Sequence, residues 1–104
     1  MINELVEQAY KTAVDKGLYE HELNFLELIA LVHTELSEAV NDYRNGKMNI
    51  YYEDRKPCGI PIELADAVIM VFSICGYYGI DLEEAIKLKM EYNKTREYKH
   101  GRVI

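Results

Sequence analysis

The chain is expected to fold as an all-α protein, a four-helix bundle-like protomer that assembles with copies of itself. Three observations carry that expectation. Apolar residues recur at helical spacing through four segments, start and stop signals bracket those segments, and no stretch alternates with the period of a strand. At 104 residues the chain is one domain, 1-104, with room for a single modest core.

Helix 1 is placed from Ile2 or Asn3 to about Lys16. Leu5, Ala9 and Ala13 supply apolar contacts beside Val6, Tyr10 and Val14, and Gly17 is the stop. Helix 2 starts after Asn24, a good N-cap with Glu27 three residues on, and runs to about Asn45 before Gly46. The segment Lys47 to Gly59, rich in Tyr, Lys and Asp, reads as a mobile loop. Helix 3 begins around Pro61, which suits a first turn, and ends between Gly76 and Gly79. Asp81 caps helix 4, with Glu84 at its third position, and that helix runs to about Glu97 before a short tail, Tyr98 to Ile104.

Two features disturb this regular pattern. Between Ile60 and Tyr78 every residue is apolar or neutral except Glu63 and Asp66, three apart near the start of the helix. A helix apolar on all sides is normally buried, and a buried carboxylate needs a partner or a proton. Upstream, Leu28, Leu31, Glu35, Glu38 and Asp42 follow at spacings of three, four, three and four, on one helical stripe beside the apolar face of Phe25, Val32, Leu36 and Tyr43. Alone, Glu35 and Glu38 read as a solvated helix edge; Glu63 and Asp66 do not, because their helix offers no polar face to share. If helices 2 and 3 pack antiparallel, the two pairs meet, and four clustered carboxylates call for a bound cation.

Composition narrows the partners. A net charge of −6 argues against a nucleic-acid polymer as ligand. Cys58 and Cys75 show no C-x-x-C or zinc-ligand spacing and read as reduced, which points to an intracellular, cytoplasmic protein. No export signal opens the chain, and the run from Ile60, with two acids and Pro61, is not read as a membrane span. That run nevertheless exposes more apolar surface than one short helix covers, so a homodimer or homotetramer is expected.

The remaining motifs are less specific. Leu82, Ile86, Lys89, Asn93 and Arg96 share a face of helix 4. A solvated face favoured by the helix dipole accounts for them, and so does a set of phosphate or hydroxyl ligands beside the acids. His33 lies two residues before Glu35 and points elsewhere; without a Glu-x-x-His pair, redox di-iron chemistry is disfavoured. No phosphate-binding glycine loop or activated Ser or Cys nucleophile is evident. Tyr51, Tyr52, Tyr77, Tyr78, Tyr92 and Tyr98 read as core or interface residues, with base stacking a weaker use.

Glu35-Leu-Ser-Glu38 and Glu63-Leu-Ala-Asp66, separated by 24 residues and followed by Tyr78-Gly-Ile-Asp81, Lys89-Met-Glu-Tyr-Asn93-Lys-Thr-Arg96 and Lys99-His100-Gly101, form a pattern. It resembles the MazG-like branch of the all-α NTP pyrophosphatase superfamily, from about Leu26 to Gly101. The resemblance implies an Mg²⁺-dependent hydrolase, with Mn²⁺ a possible substitute, that cleaves a nucleoside triphosphate between its α and β phosphates. It also implies that Glu35, Glu38, Glu63 and Asp66 are metal-binding and catalytic acids, and that Lys89, Asn93 and Arg96 bind substrate. Glu38 is the expected general base, with Glu35 beside it, and a neighbouring subunit is expected to complete the pocket. Phosphoribosyl-ATP pyrophosphohydrolase and a non-catalytic metal- or nucleotide-binding helical dimer remain as alternatives.

Overall fold

The computed structural model describes residues 1–98. Lys99-His100-Gly101 and most of the expected tail lie outside the described residues. The order is α1 (Ile2–Asp15), α2 (Phe25–Arg44), β1 (Tyr51–Glu53), β2 (Lys56–Cys58), α3 (Ile60–Tyr78) and α4 (Leu82–Lys94). The chain is thus mostly helical, as expected, with one small antiparallel hairpin added.

Helix boundaries follow local chemistry. At α2 the Asn24 side chain accepts the Glu27 backbone N–H at 2.8 Å while the Glu27 carboxylate accepts the Asn24 N–H at 3.1 Å, a reciprocal capping box. Asp81 accepts from Glu84 N–H at 3.1 Å at the start of α4. That helix stops at Lys94, short of the expected Glu97, and the Thr95 hydroxyl donates back to the Tyr92 carbonyl at 2.7 Å.

The expected loop from Lys47 to Gly59 is instead the β hairpin, in register Tyr51↔Cys58, Tyr52↔Pro57 and Glu53↔Lys56. Its turn residues Asp54 and Arg55 both have positive φ, 47° and 71°, the handedness that matches strand twist. Arg is a poor marker for such a position, which is why the turn is hard to see in the sequence. The Ile60 N–H donates to the Lys47 carbonyl at 3.0 Å and closes the stem. Gly59 has φ 107°, and a Cβ there would overlap the Asn49 carbonyl oxygen, so the backbone crossing admits only glycine.

α3 lies between α1 and α2 and packs on both, whereas α4 meets the body chiefly through α1. The protomer is therefore a three-helix layer with a projecting fourth helix rather than a closed four-helix bundle. Among the described residues, α4 buries none. Its start is tied to that of α1: Glu83 accepts from the Met1 ammonium at 2.8 Å and the Ile2 N–H at 2.7 Å, while Asn3 accepts from the Glu83 N–H and donates to Asp81. Two facing helix N-termini, each with unsatisfied N–H groups, thus share one set of acidic and amide caps.

The core is small. Among the described residues, Val6, Leu28, Ala67, Ile74 and Cys75 are the buried apolar ones, and Ser73 is the buried polar one. Ser73 is satisfied by the Tyr19 hydroxyl at 2.8 Å, and the Tyr19 ring stacks on Tyr77 at 4.5 Å between centroids. Gly76 lets α1 approach closely, since a Cβ there would overlap Cβ of Tyr10. Cys75 is a buried free thiol whose pKa burial pushes up, and Cys58, also free, stands in β2.

One orientation reverses the simple amphipathic reading. Leu28, at the head of the acid-bearing stripe, is fully buried, while Phe25, Leu36 and Tyr43 of the apolar face are 49%, 44% and 66% exposed. Of the acids on that stripe, Glu35 and Asp42 are half-buried and Glu38 is exposed, while much of the apolar face is left outside. The radius of gyration, 16.3 Å, exceeds the roughly 13 Å of a compact chain this long. The accessible surface, 8277 Å², likewise exceeds the roughly 6,000 Å² expected of a monomer of this mass.

Candidate metal centre

Phe25 packs edge-on against Tyr78 at 5.8 Å, so the start of α2 lies beside the end of α3 and the two run antiparallel. From that register Glu35 on α2 comes level with Asp66 on α3, and the acids further along α2 come level with Glu63. One carboxylate oxygen each from Glu35, Glu63 and Asp66 lies within 4.8 Å of the others. Two residues of the expected pair on α3 and one of the pair on α2 thus converge.

Their electrostatics fit crowding. The Glu35 carboxyl is pushed above its ordinary value by burial first and then by the charges of Asp66 and Glu38, with Lys56 opposing. Glu63 is pushed up by burial and then by Asp42, Asp66, Glu38 and Glu35. Glu38 therefore stands close enough to act on both, but outside the triplet. It lines a shallow outer recess with Thr34, Ser37 and Asn41.

Spacing puts Asp42 on the acid stripe without pointing to a role for it. In the fold it is the strongest of the charges acting on Glu63, and its Oδ2 is buried without a hydrogen-bond donor. A buried carboxylate oxygen without a donor is costly, and a cation or its hydration shell is a chemically apt partner.

The donor set suits a hard divalent ion. Octahedral Mg²⁺, with oxygens at about 2.1 Å, separates its ligand atoms by roughly 3 to 4 Å, so a triplet within 4.8 Å needs only small side-chain adjustment. All donors are oxygens, with no His or Cys among them, which favours Mg²⁺ or Mn²⁺ over Zn²⁺.

A cavity of about 310 Å³ adjoins the triplet, with Glu35 and Asp66 in its wall. Ala9 and Ala13 of α1 face Ile69 and Met70 of α3 across it, and Lys16 also lines it. The small α1 side chains leave the space open, and no motif in the sequence of this helix signals a site. Lys89 and Asn93 are not brought to the acids within the protomer, because α4, which ends before Arg96, makes no substantial contact with α2 or α3. Instead Lys89 and Arg96 lie over the Tyr92 ring, at 4.9 and 5.8 Å from its centroid.

Compared with known proteins, the chain matches no protein family, no curated protein and no solved structure.

Proposed function

We propose that this protein is an Mg²⁺-dependent nucleoside triphosphate pyrophosphohydrolase, acting on the bond between the α and β phosphates. The observation that carries this reading is the convergence of Glu35, Glu63 and Asp66 from two helices beside a nucleoside-sized cavity. The resemblance of the two acidic pairs to the MazG-like pattern supports it.

Glu35, Glu63 and Asp66 would hold the cation, with Asp42 adding negative charge next to Glu63. Bound there, Mg²⁺ supplies charge neutralisation for the phosphates and a lowered pKa for a water ligand. Glu38, outside the triplet and exposed, keeps a carboxylate free to take a proton from the attacking water. The water oxygen bonds to the α-phosphorus, the bond from that phosphorus to the α,β-bridging oxygen breaks, and pyrophosphate leaves with the bonding pair. The apolar wall between α1 and α3 would hold the base and sugar.

We further propose that the working form is a homo-oligomer. Exposed Phe25, Leu36, Val40 and Tyr43 on α2, and Leu64 and Val68 on α3, supply apolar surface for a second copy. α3 itself has the length and hydropathy of a membrane span, yet only 22% of that window is buried in the protomer, so it too has surface to cover. In such an assembly a partner's α4 would present Lys89 and Asn93, with Arg96 just after it, to the acids.

The test is pyrophosphate release with Mg²⁺ from a panel of canonical and modified triphosphates and phosphoribosyl-ATP, by the wild type and by Glu63→Gln with Asp66→Asn. Release by the wild type, lost in the double variant, is expected. Release from phosphoribosyl-ATP alone would reassign the substrate. Metal-dependent stabilisation without any release would make the protein a non-catalytic binding module.

A further inference from the structure

We propose that Lys16 and Lys56 hold the polyphosphate of the substrate, flanking the acid triplet from two different elements; the proposal rests on the pyrophosphohydrolase reading above. Neither residue belongs to the acidic pairs or to the basic face of α4. Both are placed by the fold alone.

Lys16 follows the last residue of α1 and lines the cavity that also holds Glu35 and Asp66. Its end of the cavity follows from helix direction. Tyr10 meets Gly76 near the end of α3, so α1 runs antiparallel to α3 and its last residues lie toward Asp66. Lys16 is therefore at the acid end, where phosphates bound to a cation would lie, and the apolar wall from Ala9 to Met70 lies behind it.

Lys56 comes from a different element, the hairpin. Alternation along β2 puts it on the ribbon face of Cys58, whose cross-strand partner is Tyr51, and both of those residues are half-buried against the body. Lys56 thus shares the inward face although its own side chain is solvated. β2 packs on α3 and runs into it through Gly59, so the strand that carries Lys56 leads into the first turn of α3, where Glu63 stands. The stem is rooted at Lys47, Ile60 and Gly59, so the hairpin presents this charge from a defined position.

Among the described residues, neither lysine forms an ion pair. That arrangement leaves the carboxylates to a divalent ion and the ammonium groups to an anion. A metal-bound triphosphate, negative on the side facing away from its metal, meets both requirements.

The experiment uses the α,β-methylene analogue of the best-hydrolysed triphosphate, titrated with Mg²⁺ present into the wild type, Lys16→Met and Lys56→Met. Mn²⁺ binding without nucleotide is measured in parallel. Each variant is expected to weaken analogue binding about tenfold, the scale of one charged hydrogen bond, with Lys→Arg recovering most of it. Mn²⁺ binding should be unchanged or tighter, because a cation has been removed beside the acids. Wild-type analogue affinity in both variants would overturn the proposal and leave the parent reading standing. So would equal losses of analogue and Mn²⁺ affinity, which would mark general damage to the site. A wild type that hydrolyses no triphosphate would overturn both.

Discussion

The antiparallel pair α2 and α3 has two ends built by the same two helices and opposite in character. At one end Phe25, Tyr77 and Tyr78 pack ring on ring with Tyr19 from the α1–α2 connection, and Ser73, the single buried polar residue among those described, has its hydrogen bond. At the other end Glu35, Glu63, Asp66 and Asp42 crowd together, two carboxyls are raised by burial and mutual repulsion, and one buried oxygen has no donor. The difference teaches how one helix pair divides its work: the aromatic end anchors the helices, and that anchoring holds the acidic end together although its carboxylates repel one another.

The sharpest way to break this division is at the acidic end. Glu38→Gln should slow pyrophosphate release by about 100-fold or more, the usual range for removing a general base, with unchanged thermal stability. Comparable loss of Mg²⁺ affinity would instead make Glu38 a ligand.

The aromatic end should respond in stability first. Gly76→Ala puts a methyl into Tyr10, and despite the better helix propensity of alanine it should cost about 2 kcal/mol, read as a lower denaturant midpoint. An unchanged midpoint would show that α1 shifts freely.

Proton linkage distinguishes the ends again. Glu35 and Glu63 titrate above the ordinary 4.5, so between that value and their raised ones the folded state binds more protons than the unfolded chain. Without divalent ions, stability therefore falls as pH rises through that window. The fall should be shallower in Glu63→Gln, and Mg²⁺ should abolish it in the wild type; thermal melts across the window, with and without Mg²⁺, measure both. A wild-type slope identical to that of Glu63→Gln would contradict the crowding.

The smallest effect is expected at a site outside the comparison. Asn24→Ala removes half of the capping box and should cost about 1 kcal/mol, with Mg²⁺ affinity unchanged.

Much of this was legible in the sequence because it is local. The Asn24/Glu27 cap, the Asp81/Glu84 start and the acids at Glu63 and Asp66 all declare themselves within one or two helical turns. What was not legible depends on which face meets which neighbour. Periodicity puts the acid stripe and the Phe25/Leu36 face side by side but does not say which one α3 covers. Asp54 and Arg55 hide a hairpin because one member of the turn is an unusual choice for positive φ. The roles of Lys16 and Lys56 need three elements to meet, and nothing in either residue's own neighbourhood signals that meeting.

The notch at Gly76 has one more consequence. With the Tyr10 ring seated there, α1 is held against sliding along α3, and sliding by a single turn would carry Lys16 about 5.4 Å along the axis past Asp66. A missing methyl group at one end of the helix pair thus acts as an alignment key for the other. Substitutions at the notch mild enough to leave the protein folded should displace Lys16 relative to Asp66, so that stability and the proposed turnover fail in different proportions.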